Sequence, residues 1–520
     1  MSATQFKNSL KLTALASTLI CGVSATLHAD SAKLTNPANN HSYQRFDTVK
    51  TWTDAKIACE SQGSHLATIT SQAENDWIVQ KGLNHNNSSE HGAWLGATDS
   101  EAEGVWQWIT DEVWNYSNWD IGQPDNAGGV EHYLHYIYHS PTWNDIPVTF
   151  AFPYLCEWEI VSLPPLLSLN DINKDGAPEI AVVTYNPTLK KSTATVKNAQ
   201  TGGLVQQIIL DRRFVPIKAN VLPDLNGNGA PEIAVLGVRS SDQAVQVEVR
   251  DSLSGVKLSA VPFDSTFTAL DLGVVRDISG KGTAGLAVLQ QSETELRVQL
   301  KNALSGVEIG NINFSAGYKG IDLLVLGDLN GNRAKEIAVL ADNKTATAAD
   351  TVEIRDSKTG GLIRTISYGT GKDLQQLINL PDLNNSGGAE LAVLRSNTGR
   401  VLVKDAKTGL AVNTLDYAVS QPFRLATVAD SNSQTNLAML GVRAATGQPR
   451  ADVHDPLSDT LINKVVFDNY GTTVGFIAIP DINGNGVAEL VRLREQPGPQ
   501  KLFAEVRDGR TGVLIQGMYF

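Results

Sequence analysis

The chain has three cysteines in 520 residues, no tryptophan after Trp158 and one histidine, His454, after residue 139. Beyond residue 159, therefore, no zinc cluster and no Cys-His pair can be assembled, and no Gly-x-Ser-x-Gly elbow marks a serine nucleophile. A Ser-His-Asp arrangement through His454 is the one catalytic option left open there, with nothing pointing to it, so the reading is of a protein that is not an enzyme. Positive charge is scarce as well. The formal net charge is −13, and residues 36–159, with 17 acidic and 4 basic side chains, carry all of it. Such a surface argues against nucleic acid as a partner. No stretch after the amino-terminal leader offers the roughly 20 apolar residues that span a bilayer.

The leader itself is residues 1–29. Lys7 and Lys11 precede a mostly apolar run from Leu12 to Val23, and Leu27-His28-Ala29 forms a cleavage site before Asp30. The pattern predicts an exported chain, secreted or periplasmic. Cys21 belongs to this leader, and the bulky Ile20 before it does not suit lipid attachment. Cys59 and Cys156 remain in the mature chain, either as two free buried thiols or as one bridge. The length predicts more than one domain, because single cores stop growing at around 250 to 300 residues. Composition divides the chain in the same way, since all nine tryptophans fall between Trp52 and Trp158.

Within that tryptophan-rich part, Gln123-Pro124-Asp125, Glu131 and Trp143-Asn144-Asp145 place five oxygen-bearing side chains in a short span. Calcium, a hard cation, takes six to eight oxygen ligands of this kind. A proline between two of them can hold a cis peptide that turns both side chains the same way. Taken singly, the same residues are ordinary markers of surface turns. Their surroundings change that reading. Trp52-Thr53-Asp54-Ala55, Cys59, Gly63 to Ile69, Glu74-Asn75, Trp94-Leu95-Gly96-Ala97, Glu103-Gly104-Val105-Trp106-Gln107-Trp108, Tyr116-Ser117-Asn118-Trp119 and Leu155-Cys156-Glu157 follow in an order that resembles the C-type lectins.

The resemblance covers residues 36–159 and implies an α+β C-type lectin-like domain. It implies that Gln123, Asp125, Glu131, Asn144 and Asp145 bind both a calcium ion and the vicinal hydroxyls of a sugar. It also implies an auxiliary calcium position at Asp99, Glu103, Asn126 and Glu131, and a disulfide between Cys59 and Cys156. In this family a Gln-Pro-Asp triplet goes with galactose-type ligands and Glu-Pro-Asn with mannose-type ones. The stretch after the triplet, Asn126-Ala127-Gly128-Gly129-Val130, holds no aromatic residue. His132, His135 and His139 alternate with Tyr133, Tyr136 and Tyr138 along a predicted strand, most simply as its polar face.

Residues 160–165 form a short link, and residues 166–520 are a repeat array. Asp171-Ile-Asn173-Lys-Asp175-Gly176 with Glu179 recurs as Asp224, Asn226, Asn228 and Glu232, as Asp328, Asn330, Asn332 and Glu336, as Asp382, Asn384 and Glu390, and as Asp481, Asn483, Asn485 and Glu489. Weaker copies begin at Asp277, with Lys281 and Gly285 in place of ligands, and at Asp430, where the loop is shortened. A second turn follows, as at Asp251–Gly255, Asp356–Gly360, Asp405–Gly409 and Asp508–Gly512. Short Val, Ile and Leu runs between these turns read as four strands per unit, so seven units predict an all-β seven-bladed β-propeller, with an open solenoid as the alternative. The loops resemble the calcium loops of FG-GAP propeller repeats, which implies Ca2+ in the five complete copies. The residues alone allow a second reading, Asn-Gly turns closed by side-chain to backbone hydrogen bonds. The Asp-x-x-Thr-Gly turns also resemble those of quinoprotein propellers, whose repeats end in a docking tryptophan that this region lacks.

Together these features predict a calcium-dependent lectin that binds a galactose-like glycan or glycoprotein, with the propeller as scaffold or second surface. The alternative is a protein-binding adhesin on the same calcium-stabilised domains.

Overall fold

The computed structural model describes residues 30–520 except 32–33, 37–40, 61–63, 85–91, 111, 113, 139, 159–164, 187–188, 240–241, 277–283, 344–347, 371–373, 396–397, 431–433, 444–445 and 497–501. The leader, His139, Lys281 and most of the link thus lie outside the described residues. The chain forms two compact units, one built mainly on Tyr43–Thr110 and Tyr116–Glu157, the other on Trp158–Phe520.

In the first unit the strands are β1 (Leu34–Thr35), β2 (Ser42–Lys50), β3 (His65–Leu66), β4 (Trp94–Thr98), β5 (Gln107–Trp108), β6 (Tyr133–Tyr136), β7 (Trp143–Ile146) and β8 (Phe152–Trp158). They make one sheet in the order β1-β2-β8-β4-β6-β7, with β3 beside β8 and β5 beside β4. Two helices, α1 (Trp52–Glu60) and α2 (Gln72–Gln80), precede the sheet centre. Helix α1 buries Trp52, Ala55 and Cys59, one face at helical spacing. Helix α2 starts where the Ser71 side chain accepts the Glu74 N–H. Its inner face is polar, so each buried group must find a partner. Tyr43 donates its hydroxyl to Glu74 and, at 2.9 Å, to Glu157 Oε1, while Tyr136 donates to Asn75 Oδ1 at 2.8 Å. Cys59 and Cys156 are joined as a disulfide with Cα atoms 5.5 Å apart, tying α1 to β8. Closing so long a loop stabilises by roughly 4–5 kcal/mol in the chain-entropy model. Gly96 is required by packing, since a Cβ there would lie 2.3 Å from the Leu66 carbonyl oxygen.

The second unit is a seven-bladed β-propeller of four-stranded antiparallel sheets. The first strands of the blades are Leu166–Leu169, Val215–Leu222, Thr268–Val275, Tyr318–Leu326, Leu374–Leu380, Ser420–Ala429 and Thr472–Ile479. Their successive contacts, including that of the seventh with the first, close the ring around the axis. Second strands are apolar on both faces, as in Glu232–Val238, where every residue is buried. A strand flanked by two neighbouring blades has no face left for water, so alternation disappears. Each blade is one continuous stretch of sequence, and no strand is exchanged to close the ring. Closure is by packing, with Ile180, Val182 and Ala199 of blade 1 against Leu493, Ala504, Val506 and Met518 of blade 7. The Gln516 side chain adds a hydrogen bond to the Gln200 carbonyl at 3.2 Å.

In blades 1, 2, 4, 5 and 7 the loop from first to second strand and the turn from third to fourth are bonded together. In blade 2, Asn226 and Asn228 donate their side-chain amides to Asp251 Oδ2 at 2.9 and 2.6 Å. Asn330 and Asn332 do the same with Asp356, and the Asn384 amide and the Ser386 hydroxyl donate to Asp405. Although burial pushes these carboxyls up, the donors outweigh it and hold Asp356 and Asp405 down to about 2. A depressed carboxyl contributes stability that is present above its ordinary value of 3.8 and lost as pH falls towards about 2. Chemical denaturation between pH 4 and 2 will show a falling midpoint, by on the order of 1–2 kcal/mol per carboxyl. An Asp356→Asn/Asp405→Asn protein will be less stable at pH 5 and flatter across that window.

Candidate functional site

The loop between β5 and β6 folds over β7. Trp143 opens β7 and is fully buried, with the Trp108, Tyr116 and Trp119 rings edge-on to it. Its backbone accepts the Asp120 N–H and donates to the Asn118 carbonyl, both at 2.9 Å, which fixes the loop entry. Asp145, two residues on, is 1% exposed. Its carboxylate accepts the backbone N–H groups of Asp125 at 3.2 Å and Asn126 at 2.9 Å. Between these anchors the Gln123–Pro124 peptide is cis. Glu131 closes the loop, accepting the Ala127 N–H at 3.1 Å while its own N–H donates to Asn126 Oδ1 at 3.1 Å.

This folding brings oxygens of Asp125, Glu131 and Asp145 within 4.8 Å of one another. Partial burial and the neighbouring Asp145 and Asp125 push the Glu131 carboxyl up, against the Ala127 amide that lowers it. The two amide members of the set add oxygens with nothing to bond. Gln123 Oε1 and Asn144 Oδ1 are both buried without a hydrogen-bond partner among the described residues. Asn144 turns its amide nitrogen to the Asp145 carbonyl at 2.5 Å and towards His135 Nε2 at 3.3 Å, leaving its oxygen unused. Orphaned buried acceptors next to clustered carboxylates are costly for the protein alone and match the donor set of a hard cation.

Of the auxiliary set, Asp99 and Glu103 come within 4.8 Å of each other together with His132, and Glu131 comes equally close to Asp125 and Asp145. His132 Nδ1 is 3.1 Å from Asp99 Oδ1 and 3.4 Å from Glu103 Oε2. Sequence reasoning passed over His132 in this role, and its adjacency to Glu131 was the available signal. Of the alternating histidines, His135 is buried and stacked on Phe152 with ring centroids 5.1 Å apart, and His139 lies outside the described residues. His454 is buried against Tyr417 and pairs with Asp459 at 2.7 Å, a structural use of the propeller's one histidine.

In the propeller loops the first Asp gathers backbone amides. Asp224 accepts from Asn226, Gly227 and Gly229, the last at positive φ, 91°. The Glu that opens the second strand accepts one amide from the loop, as Glu232 does from Leu225 and Glu489 from Ile482. Burial, followed by the nearby aspartates, pushes Glu179, Glu232, Glu336 and Glu489 up to about 7. Oxygens of Glu179, Glu336, Glu390 and Glu489 lack a partner among the described residues. In loop 1 Asp171, Asp175 and Glu179 come within 4.8 Å of one another, the one propeller loop with three grouped carboxylates among the described residues. In loops 2 and 4 the Asn side chains are spent on backbone amides and on Asp251 or Asp356, as in hydrogen-bonded Asn-Gly turns.

A family model described as "Lectin C-type domain" matches residues 48–158. A "C-type lectin" from Micrurus corallinus is 33% identical over 122 residues, which are 23% of this chain and 77% of that protein. "Perlucin" from Haliotis laevigata is 34% identical over 145 residues, 26% of this chain and 89% of that protein. "Lectin" from Pleurodeles waltl is 32% identical over 122 residues, 23% and 70% of the two chains.

Asp145 is the residue on which the loop geometry rests. Replacing it by Ala will free the Asn126 amide, raising its hydrogen-exchange rate by about 10–100-fold, equivalent to one lost charge-assisted bond. Amides of the Tyr133–Tyr136 strand serve as the unaffected reference.

Proposed function

The chain belongs to the C-type lectin family through residues 48–158, and from this premise we propose that it is a carbohydrate-binding lectin whose sugar is held through calcium at Gln123, Asp125, Glu131, Asn144 and Asp145. The observation that carries the reading is the pair of buried, unpartnered amide oxygens beside three converging carboxylates. Calcium would supply the positive charge that these groups lack and two coordination positions for vicinal hydroxyls. The order Gln-Pro-Asp favours a galactose-type ligand, because it sets which hydroxyls meet the amide donor and which the carboxylate acceptor. The Cys59–Cys156 disulfide supports export to an oxidising compartment. No helix among the described residues is long and apolar enough to cross a membrane. The propeller presents the lectin domain, and its loop 1 holds a structural calcium at Asp171, Asp175 and Glu179, with weaker sites at the other complete loops.

On a glycan array the parent protein will bind galactose-terminated glycans in calcium and lose them in excess chelator. Asp125→Ala and Asn144→Ala will each weaken binding at least about tenfold. Parent-like binding by both variants would sink the calcium-site reading, and binding of array proteins but no glycan would favour the adhesin. Gln123→Glu/Asp125→Asn will shift preference from galactose towards mannose.

Calorimetric titration of metal-free protein with calcium counts the ions. Two tighter sites are expected, one removed by Asp125→Ala and the other by Asp175→Ala, with further weak uptake. Identical titrations of parent and Asp175→Ala would remove the loop 1 assignment.

A further inference from the structure

We propose that the axis of the propeller is a second binding site, independent of the lectin domain, for a small hydroxylated monocarboxylate held by Arg424 and Lys218. A cavity of about 700 Å³ lies on the axis, lined by the first strands of the blades. That is within the range of pockets that enclose small molecules.

The register of the repeats builds its wall. Counting back six residues from the Asp that opens each repeat loop gives Pro165, Lys218, Asp271, Asp322, Gln376, Arg424 and Gly475, and all seven line the cavity. In blades 2 to 7 the pairing of first and second strand shifts at this residue, a β-bulge that re-aims one side chain per blade. Five consecutive blades thus bring polar side chains to one level of the axis, and blades 7 and 1, with Gly475 and Pro165, bring none.

Charge accounting identifies the ligand. Lys218 Nζ pairs with Asp271 Oδ1 at 3.1 Å. Asp271 Oδ2 and Asp322 Oδ2 accept the backbone amides of Leu323 and Leu377, both at 2.9 Å. Gln376 is spent on Leu425, accepting its N–H at 2.8 Å and donating to its carbonyl at 3.4 Å. Arg424 is left with no carboxylate partner among the described residues. The titratable groups on the wall are Lys218, Asp271, Asp322 and Arg424. Burial, and then the Asp271 charge, push the Asp322 carboxyl up to about 7. With Asp322 neutral, the wall carries one unmatched positive charge, on Arg424.

A monoanion balances that charge, whereas a dianion would exceed it beside Asp271. The guanidinium fork suits a carboxylate. Lys218 stands at the other end of the arc that runs through Gly475 and Pro165, and it already senses Arg424 as a repelling charge. Asn379 and Thr427 also line the cavity, with no side-chain hydrogen bond to other described residues, which leaves them for ligand hydroxyls. Leu166, Leu323, Leu377 and Phe476 give the carbon skeleton an apolar wall.

The test is calorimetric titration of the full-length Asp125→Ala/Asn144→Ala protein, in which the lectin site is disabled, with glucuronate, glucose and inorganic phosphate. One glucuronate site per chain is expected at pH 6, with glucose at least about tenfold weaker. Arg424→Gln will abolish it and Arg424→Lys will restore part of it. Asp322 is neutral below about 7 and ionised above, so affinity will fall severalfold from pH 6 to 8. Asp322→Asn will bind at both pH values, which also guards against a merely misfolded Arg424 variant. Absence of saturable glucuronate binding, undiminished binding by Arg424→Gln, or tighter binding of phosphate than of glucuronate would each overturn the proposal.

Discussion

A buried carboxylate that receives the backbone amides of a loop is the interaction on which both units depend. In the lectin domain it is Asp145, inside a strand, with the amides of Asp125 and Asn126 hung on it. In blades 1, 2, 5 and 7 it is the Glu at the head of the second strand, with the loop amide of Ile172, Leu225, Leu383 or Ile482. A carboxylate taken out of water is tolerated only with donors around it. A loop that moved away would strand a buried acceptor, and in the blades, where burial pushes Glu179, Glu232 and Glu489 up to about 7, the loop amide is what still favours the ionised form. Oxygens remain over in several of these places, and they make the loops candidates for cations.

The same logic separates structural from functional use of polarity. Glu74 and Glu157 are buried in the lectin domain, and Tyr43 and Thr68 bind them, so they hold the fold. Gln123 and Asn144 are half-buried, with side-chain oxygens that are buried and unmatched among the described residues, which is a cost without a ligand. On the propeller axis, Asp271 has its lysine and its amide, while Arg424 has no carboxylate partner among the described residues. The distinction lies in whether each group's hydrogen-bonding capacity is filled from within.

The amino-acid order made much of this legible. The Gln-Pro-Asp and Trp-Asn-Asp groups, Cys59 with Cys156, and the intervals of the Asp-x-Asn-x-Asn-Gly loops could be read directly, because short-range motifs carry turn and ligand chemistry in a few adjacent positions. The meeting of His132 with Asp99 and Glu103 was harder, since it joins residues about 30 positions apart in sequence through the tertiary fold. The partnership of Asp251 with Asn226 and Asn228 was harder still. Both turns were visible, yet only the antiparallel pairing of four strands puts them on one side of a blade.

An acidic, tryptophan-rich lectin-like domain followed by seven repeats follows from the order of the residues alone, because those features are periodic or local and need no partner at a distance. Tertiary structure decided which carboxylates converge, which amide oxygens are left unbonded, and that Lys218, Asp271, Asp322, Gln376 and Arg424 share one level of an axis. Those five residues lie about fifty positions apart in an unremarkable place before each repeat. They meet only because the ring closes and because the bulges give the first strands of blades 2 to 6 the same turn inward, a constraint that belongs to the packed blades and to no single repeat.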